Sequence, residues 1–155
     1  METGMLHLHS FLRYLVLLVA IWAIIQMASG LGGKKVFSAR DKRPALFFLI
    51  IVDLQLLVGL FLYFVGPWGF KNIQNQGFGE VMKNSTARFF ALEHVVGMII
   101  ALILVHIGYA ITKKKDLADK KKFSKAFWLF LIAFILMIAF IPWPFRENLG
   151  RHWMP

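Results

Sequence analysis

The sequence predicts an all-α fold: a polytopic membrane protein built as an up-down bundle of four transmembrane helices. First, 59% of the residues are hydrophobic, with 16 Phe and 5 Trp, more than a soluble domain of 155 residues can bury. Second, four apolar stretches are long enough to cross about 30 Å of hydrocarbon. Third, basic residues are concentrated in two of the loops. We therefore expect a single transmembrane domain over residues 1–155.

The four helices are predicted at about residues 6–30, 45–68, 89–112 and 126–145. The first apolar stretch is preceded by no basic residue and is too long for a cleavable signal peptide, so we expect it to be retained. The second helix follows a basic loop, and the third follows a Gly- and Asn-containing loop, Gly66–Arg88, that is expected to lie along the membrane interface. The fourth ends at "IPWPF", because prolines stop a helix. Short loops between apolar stretches make consecutive helices antiparallel neighbours.

The basic residues also predict an orientation. The loops between helices 1 and 2 and between helices 3 and 4 hold twelve Lys and Arg, whereas the loop between helices 2 and 3 holds three. Positive loops stay on the cytoplasmic side, so both termini are expected outside, in a multi-pass protein of a bacterial inner membrane. We attribute the net charge of +10 to this asymmetry and to contacts with anionic membrane lipids, not to nucleic-acid binding.

The chain has no Cys, which excludes disulfides, thiolate metal sites and thiol catalysis. Any metal chemistry must therefore use His, carboxylate or Met side chains.

Four polar residues are predicted to form an outer layer. Counting along the inward-running helices 1 and 3 places His9, Arg13, Glu93 and His94 at similar depths. One interpretation is structural: interfacial hydrogen bonds for the histidines and an ion pair between Arg13 and Glu93. A second makes His9 and His94 the axial ligands of a b-type haem between helices 1 and 3 near the outer face, with Arg13 and Glu93 beside the cofactor. A third is a non-haem metal or a proton relay at the two histidines.

A second, inner polar layer is predicted from Asp53 and Gln55 on helix 2 and His106 on helix 3. Asp53 and His106 lie at matching depths. Three interpretations remain open: a buried hydrogen-bonded pair, a proton or quinol site, and the remains of a second haem site.

Small residues on helix 3, among them Gly97, Ala101 and Gly108, fall near one face. Such a face allows close packing of another helix, or leaves room for a flat macrocycle.

Four segments carry a family resemblance: "LHLHSFLRYLVLL", "DLQLLVGLFLYF", "LEHVVGMIIALILVHIGYA" and "IPWPF". Together they resemble small bacterial four-helix membrane proteins catalogued as cytochrome b-like, and more distantly are similar to the cytochrome b561 and CopD-type groups. The resemblance implies a haem-b electron-transfer role, with His9, His94 and His106 at the positions that would carry it. Asp53 stands where a histidine is expected for an inner haem.

The leading hypothesis is therefore a b-type haem protein of the inner membrane that passes electrons between a quinol or a redox partner protein and an acceptor at the outer face. The alternative is a non-catalytic small accessory subunit that packs within a larger membrane complex. The sequence leaves open whether the protein is an enzyme and whether it forms an oligomer.

Overall fold

The computed structural model describes residues 2–147 and Leu149, and within this part of the chain every regular element is helical. Four helices are long and apolar enough to cross a membrane. These are α1 (Glu2–Ala28), α2 (Ala39–Val65), α6 (His94–Lys113, with the turns that precede it) and α7 (Asp119–Phe140). The predicted all-α chain with four candidate transmembrane helices is confirmed.

Three helices begin earlier than predicted, because their first turns contain charged or polar residues that lower the local hydropathy. Helix α1 begins at Glu2 instead of residue 6. Helix α2 begins at Ala39 instead of residue 45, and α7 begins at Asp119 instead of residue 126. The start of α2 is held by Asp41, whose Oδ2 accepts hydrogen bonds from the Ser38 backbone N–H (2.9 Å) and the Ser38 hydroxyl (2.5 Å). A carboxylate at this position satisfies donors that the helix itself leaves unpaired.

The connection between α2 and α6 folds into short helical pieces, listed here in order: α3 (Phe70–Gln76), α4 (Phe78–Lys83), α5 (Ser85–Arg88) and a π-helical turn (Phe89–Glu93). Asn84 caps α5 by accepting a hydrogen bond from the Ala87 backbone N–H at 2.9 Å. Val81, Ala87 and Ala91 form a small buried apolar cluster beneath these pieces. The connection is therefore a packed part of the fold.

The long helices pack so that α1 and α6 do not lie side by side. Helix α1 packs mainly on α2 and α7, and α6 packs on the same two helices, which puts α1 and α6 on a diagonal of the bundle. The core between them is formed by small and aromatic residues, including Ala20, Ala23 and the Phe48–Phe130 ring pair at 5.5 Å.

The small residues of α6 serve its packing on α7. A Cβ added at Gly97 would lie 2.4 Å from the Phe140 ring, and one added at Gly108 would lie 2.4 Å from the Phe130 ring. Aromatic side chains of α7 already fill the space beside these glycines. Of the two interpretations of this face, the structure supports close helix packing, because the rings of Phe140 and Phe130 occupy the space beside Gly97 and Gly108.

The two lysine- and arginine-rich loops meet at one end of the bundle, which we call the basic end. The ring of Phe37, in the loop before α2, lies 4.9 Å from the ring of Phe123 in the first turns of α7. Asp41 is buried there between Lys35 (2.5 Å) and Gln26 of α1 (2.6 Å).

Candidate functional site

His9 and His94 face each other across the diagonal of the bundle. His9 lies near the start of α1 and His94 is the first residue of α6. Their ring centroids are 6.4 Å apart and the ring planes are inclined at 66°. Two histidines that are 85 positions apart in the sequence therefore form one site, at the end of the bundle opposite to the basic end.

The orientation of His94 is fixed by the end of α7. Its Nδ1 lies 2.7 Å from the carbonyl oxygen of Phe140. A carbonyl only accepts hydrogen bonds, so Nδ1 carries the proton and Nε2 holds a lone pair. Nε2 has no hydrogen-bond partner within the described part of the chain. A histidine that donates from one ring nitrogen to a backbone carbonyl is oriented to bind a metal through the other.

His9 is held against α2. A Cβ at Gly59 would lie 3.2 Å from Cε1 of His9, so a glycine at this position lets the imidazole approach the α2 backbone. The Gln55 side chain donates from Nε2 to the His9 carbonyl oxygen at 3.1 Å and so ties α2 to the start of α1. Nδ1 of His9 is buried and has no hydrogen-bond partner among the described residues. This nitrogen lies on the side of the ring next to Gly59, where an added Cβ would be 3.7 Å away.

The predicted ion pair between Arg13 and Glu93 is wrong. Oε1 of Glu93 accepts a hydrogen bond from Nε of Arg88 at 2.7 Å. Arg13 is buried, with Nη2 2.9 Å from the Tyr14 hydroxyl and its guanidinium carbon 5.9 Å from the centre of the Trp143 ring. Arg13 and Glu93 both lie at the histidine end, but each has a different partner.

Asp53 and His106 form the hydrogen bond that the sequence predicts, with Nε2 of His106 2.8 Å from Oδ1 of Asp53. The expected burial is wrong, because the two side chains are 42% and 46% exposed on the outside of the bundle, between α2 and α6. Gln55 was predicted to join them and does not. It lies two positions after Asp53, on the opposite side of α2, and contacts α1 instead.

The described residues contain no group of three or more His, Cys, Asp or Glu side chains that would hold a metal ion alone. The His9–His94 pair suits a metal that brings its other ligands, as haem does. Imidazole is a donor that haem iron accepts, and the 6.4 Å between the two ring centroids is compatible with one metal ion between them, so the residues present fit such a group.

The fold and the site define a class: a chain with four helices long and apolar enough to cross a membrane and a pair of facing histidines at one end. Comparison with family models, with curated proteins and with solved structures gives no match.

Proposed function

We propose that the protein binds one b-type haem between His9 and His94 and transfers electrons in the membrane. The observation that carries the proposal is the facing of these two rings at 6.4 Å across the bundle, with Nδ1 of His94 committed to the Phe140 carbonyl. The cytochrome b-like resemblance of the motifs around both histidines supports the same cofactor.

The topology that accompanies this proposal is an up-down bundle in a bacterial inner membrane, with both termini outside. It is supported by the meeting of both basic loops at one end, since positive loops remain cytoplasmic. His9 and His94 then lie near the outer face. A quinol, or a redox partner protein in the membrane, is the proposed electron donor.

Each residue of the site has a defined part in this function. His9 and His94 would hold the haem iron, and the Phe140 carbonyl keeps the His94 ring in one tautomer. Gly59 and Gln55 position His9 by holding α1 close to α2. Arg13, one turn after His9, offers a cation for a carboxylate of the cofactor. Haem, when bound, supplies exchange of a single electron.

The test is the absorption spectrum of the protein purified from cells with haem available, oxidised and then reduced. We expect a Soret band and a bis-histidine α-band, and loss of the α-band in His9→Ala and His94→Ala. His7→Ala and His106→Ala are the matched controls, because neither residue lies at the site, and both should keep the spectrum. A folded, colourless wild-type protein would contradict the proposal, as would equal loss of haem in all four variants.

The second candidate function is that of an accessory subunit of a larger membrane complex. The observation that favours it is the Asp53–His106 pair, which is almost half exposed on a face of two apolar helices. Polar groups at such depth normally face protein or a water-filled cavity. A colourless preparation that retains a stoichiometric membrane partner would support this candidate over the first.

A further inference from the structure

The basic end contains a cavity of about 350 Å³ between the start of α2 and the end of α6. One wall is the segment from Phe37 to Ala39 with Lys42, and the other is the segment from Thr112 to Lys115. Lys122, from the first turns of α7, closes the third side. The cavity is therefore formed by residues from both basic loops, and it lies at the opposite end of the bundle from His9 and His94.

The charge around this cavity is positive. Five of the described residues that line it are lysines, and none is a carboxylate: Lys42, Lys113, Lys114, Lys115 and Lys122. Lys122 already has an anionic neighbour, since its Nζ lies 3.2 Å from Oδ1 of Asp119. The other four have no carboxylate partner within the described part of the chain. Four lysines without a carboxylate partner beside one cavity make an anion favourable there.

The start of α2 adds the positive end of a helix dipole to these charges. Ala39, the first residue of the 27-residue helix α2, lines the cavity. The Asp41 carboxylate accepts hydrogen bonds from Ser38 and does not line the cavity. Lysines and the positive end of a helix thus lie around one space, and both favour a phosphate group there.

The position of the cavity indicates which phosphate compound occupies it. It lies at the ends of two membrane-spanning helices, where phospholipid headgroups lie. Leu46 and Leu49 lie one and two turns beyond Lys42 on the same side of α2, and Tyr109 lies one turn before Lys113 on α6. All three are partly exposed. On both helices the lysines are therefore followed by one to two turns of apolar surface, which ends at the exposed Asp53–His106 pair.

We propose that this cavity binds the headgroup of an anionic phospholipid that carries two phosphate charges, with the start of an acyl chain against Leu46, Leu49 and Tyr109. The four lysines without a carboxylate partner match such a headgroup better than one with a single charge. The site ties both basic loops to the cytoplasmic lipid layer. It is independent of haem binding and remains if the protein carries no cofactor.

The test measures lipid retention by native mass spectrometry of the protein released from detergent micelles, with cardiolipin, phosphatidylglycerol or phosphatidylcholine added. We expect cardiolipin to be retained most strongly. The triple variant Lys42→Gln, Lys113→Gln, Lys114→Gln should lose affinity for cardiolipin by about tenfold or more. The matched control is Lys34→Gln, Lys121→Gln, Lys125→Gln, which removes the same charge from the same end without touching the cavity lining, and it should lose much less.

A second measurement uses the wild-type protein and so does not depend on how the variants fold. In nanodiscs, acetylation of Lys113 and Lys114 should slow with cardiolipin relative to phosphatidylcholine, whereas Lys121 and Lys125 should react alike. Equal losses in the two triple variants, or equal protection of all lysines, would mean general charge attraction and overturn the proposal. The proposal would also be overturned if excess inorganic phosphate displaced the lipid and protected the same lysines, because the ligand would then be free phosphate.

Discussion

At the level of single residues, Glu93 lies five positions after Arg88, and the pair depends on the local form of the helix. In a regular α-helix two such residues point about 140° apart and do not meet. In the π-helical turn the His94 backbone N–H bonds to the Phe89 carbonyl, five residues back, and the wider turn brings residues five apart together. Arg88 therefore reaches Glu93, and the sequence-based pairing with Arg13 assumed a regular helix that is not there.

A coupling energy can show whether Glu93 interacts with Arg88 or with Arg13. Arg88 and Glu93 are both about 40% exposed, so a double-mutant cycle of Arg88→Ala and Glu93→Ala should give only about 0.2–1 kcal/mol of coupling. The control cycle of Arg13→Ala and Glu93→Ala should give none within error. Unfolding in mixed micelles monitored by circular dichroism provides the four free energies for each cycle. A larger coupling for Arg13 with Glu93 would show that the sequence-based pairing was right.

The two predicted polar layers show which features of a site can be predicted by counting residues along a helix. The depths of Asp53 and His106 follow from the rise of about 1.5 Å per residue, and their hydrogen bond was predicted correctly. The direction of each side chain depends on which helix lies next to it, which the sequence does not state. Burial of that pair was therefore predicted wrongly. Gln55 is a different case, since residues two positions apart on a helix point about 200° apart and cannot share a site.

At the level of elements, the apolar middle of each long helix was predictable and its ends were not. Hydropathy predicts the part of α2 that starts at Ala45. The charged first turns from Ala39 onward can be predicted only from another sequence pattern. Ser38 followed three residues later by Asp41 is such a pattern, since this spacing forms a helix cap. The π-helical turn has no comparable signature, and it is the element that leads directly into His94.

The contact between α6 and α7 depends on glycine, and Gly108→Ala tests it. The added methyl group would lie 2.4 Å from the ring of Phe130, which is 0% exposed and cannot move aside. We expect a loss of about 1–3 kcal/mol in the free energy of unfolding, measured in mixed micelles. Gly97→Ala should cost less, because Phe140 is partly exposed at the end of α7.

The matched control is Gly4→Ala in the first turns of α1, where an added Cβ meets nothing within 4 Å. This variant should be neutral or slightly stabilised, since Ala is the better helix former. An equal loss in Gly4→Ala and Gly108→Ala would contradict the role of close packing at Gly108.

At the level of the whole molecule, the proposed orientation can be mapped because the chain has no native Cys. Gly32 lies in the loop after α1 and Gly79 lies in α4, and neither has an atom near an added Cβ. In intact spheroplasts, a membrane-impermeant maleimide should label Gly79→Cys and leave Gly32→Cys unlabelled until the membrane is broken. The reverse pattern would place the basic loops outside and contradict the proposed topology.

The number of long helices was predictable, because crossing a membrane requires long apolar runs that few other structures need. The order of the helices around the bundle was not. Placing His9 beside His94 by sequence requires α1 and α6 to face each other across the bundle, and only the side chains at their contacts decide that arrangement.

The two histidines also belong to different helical hairpins. Helices α1 and α2 pack extensively on each other, as do α6 and α7, and each pair is joined by its own basic loop. His9 comes from the first hairpin, whereas both His94 and the Phe140 carbonyl that orients it come from the second. Any ligand that needs both imidazoles can be taken up only once the two hairpins have been inserted and have associated. Its uptake would therefore mark the last step in the biogenesis of the protein.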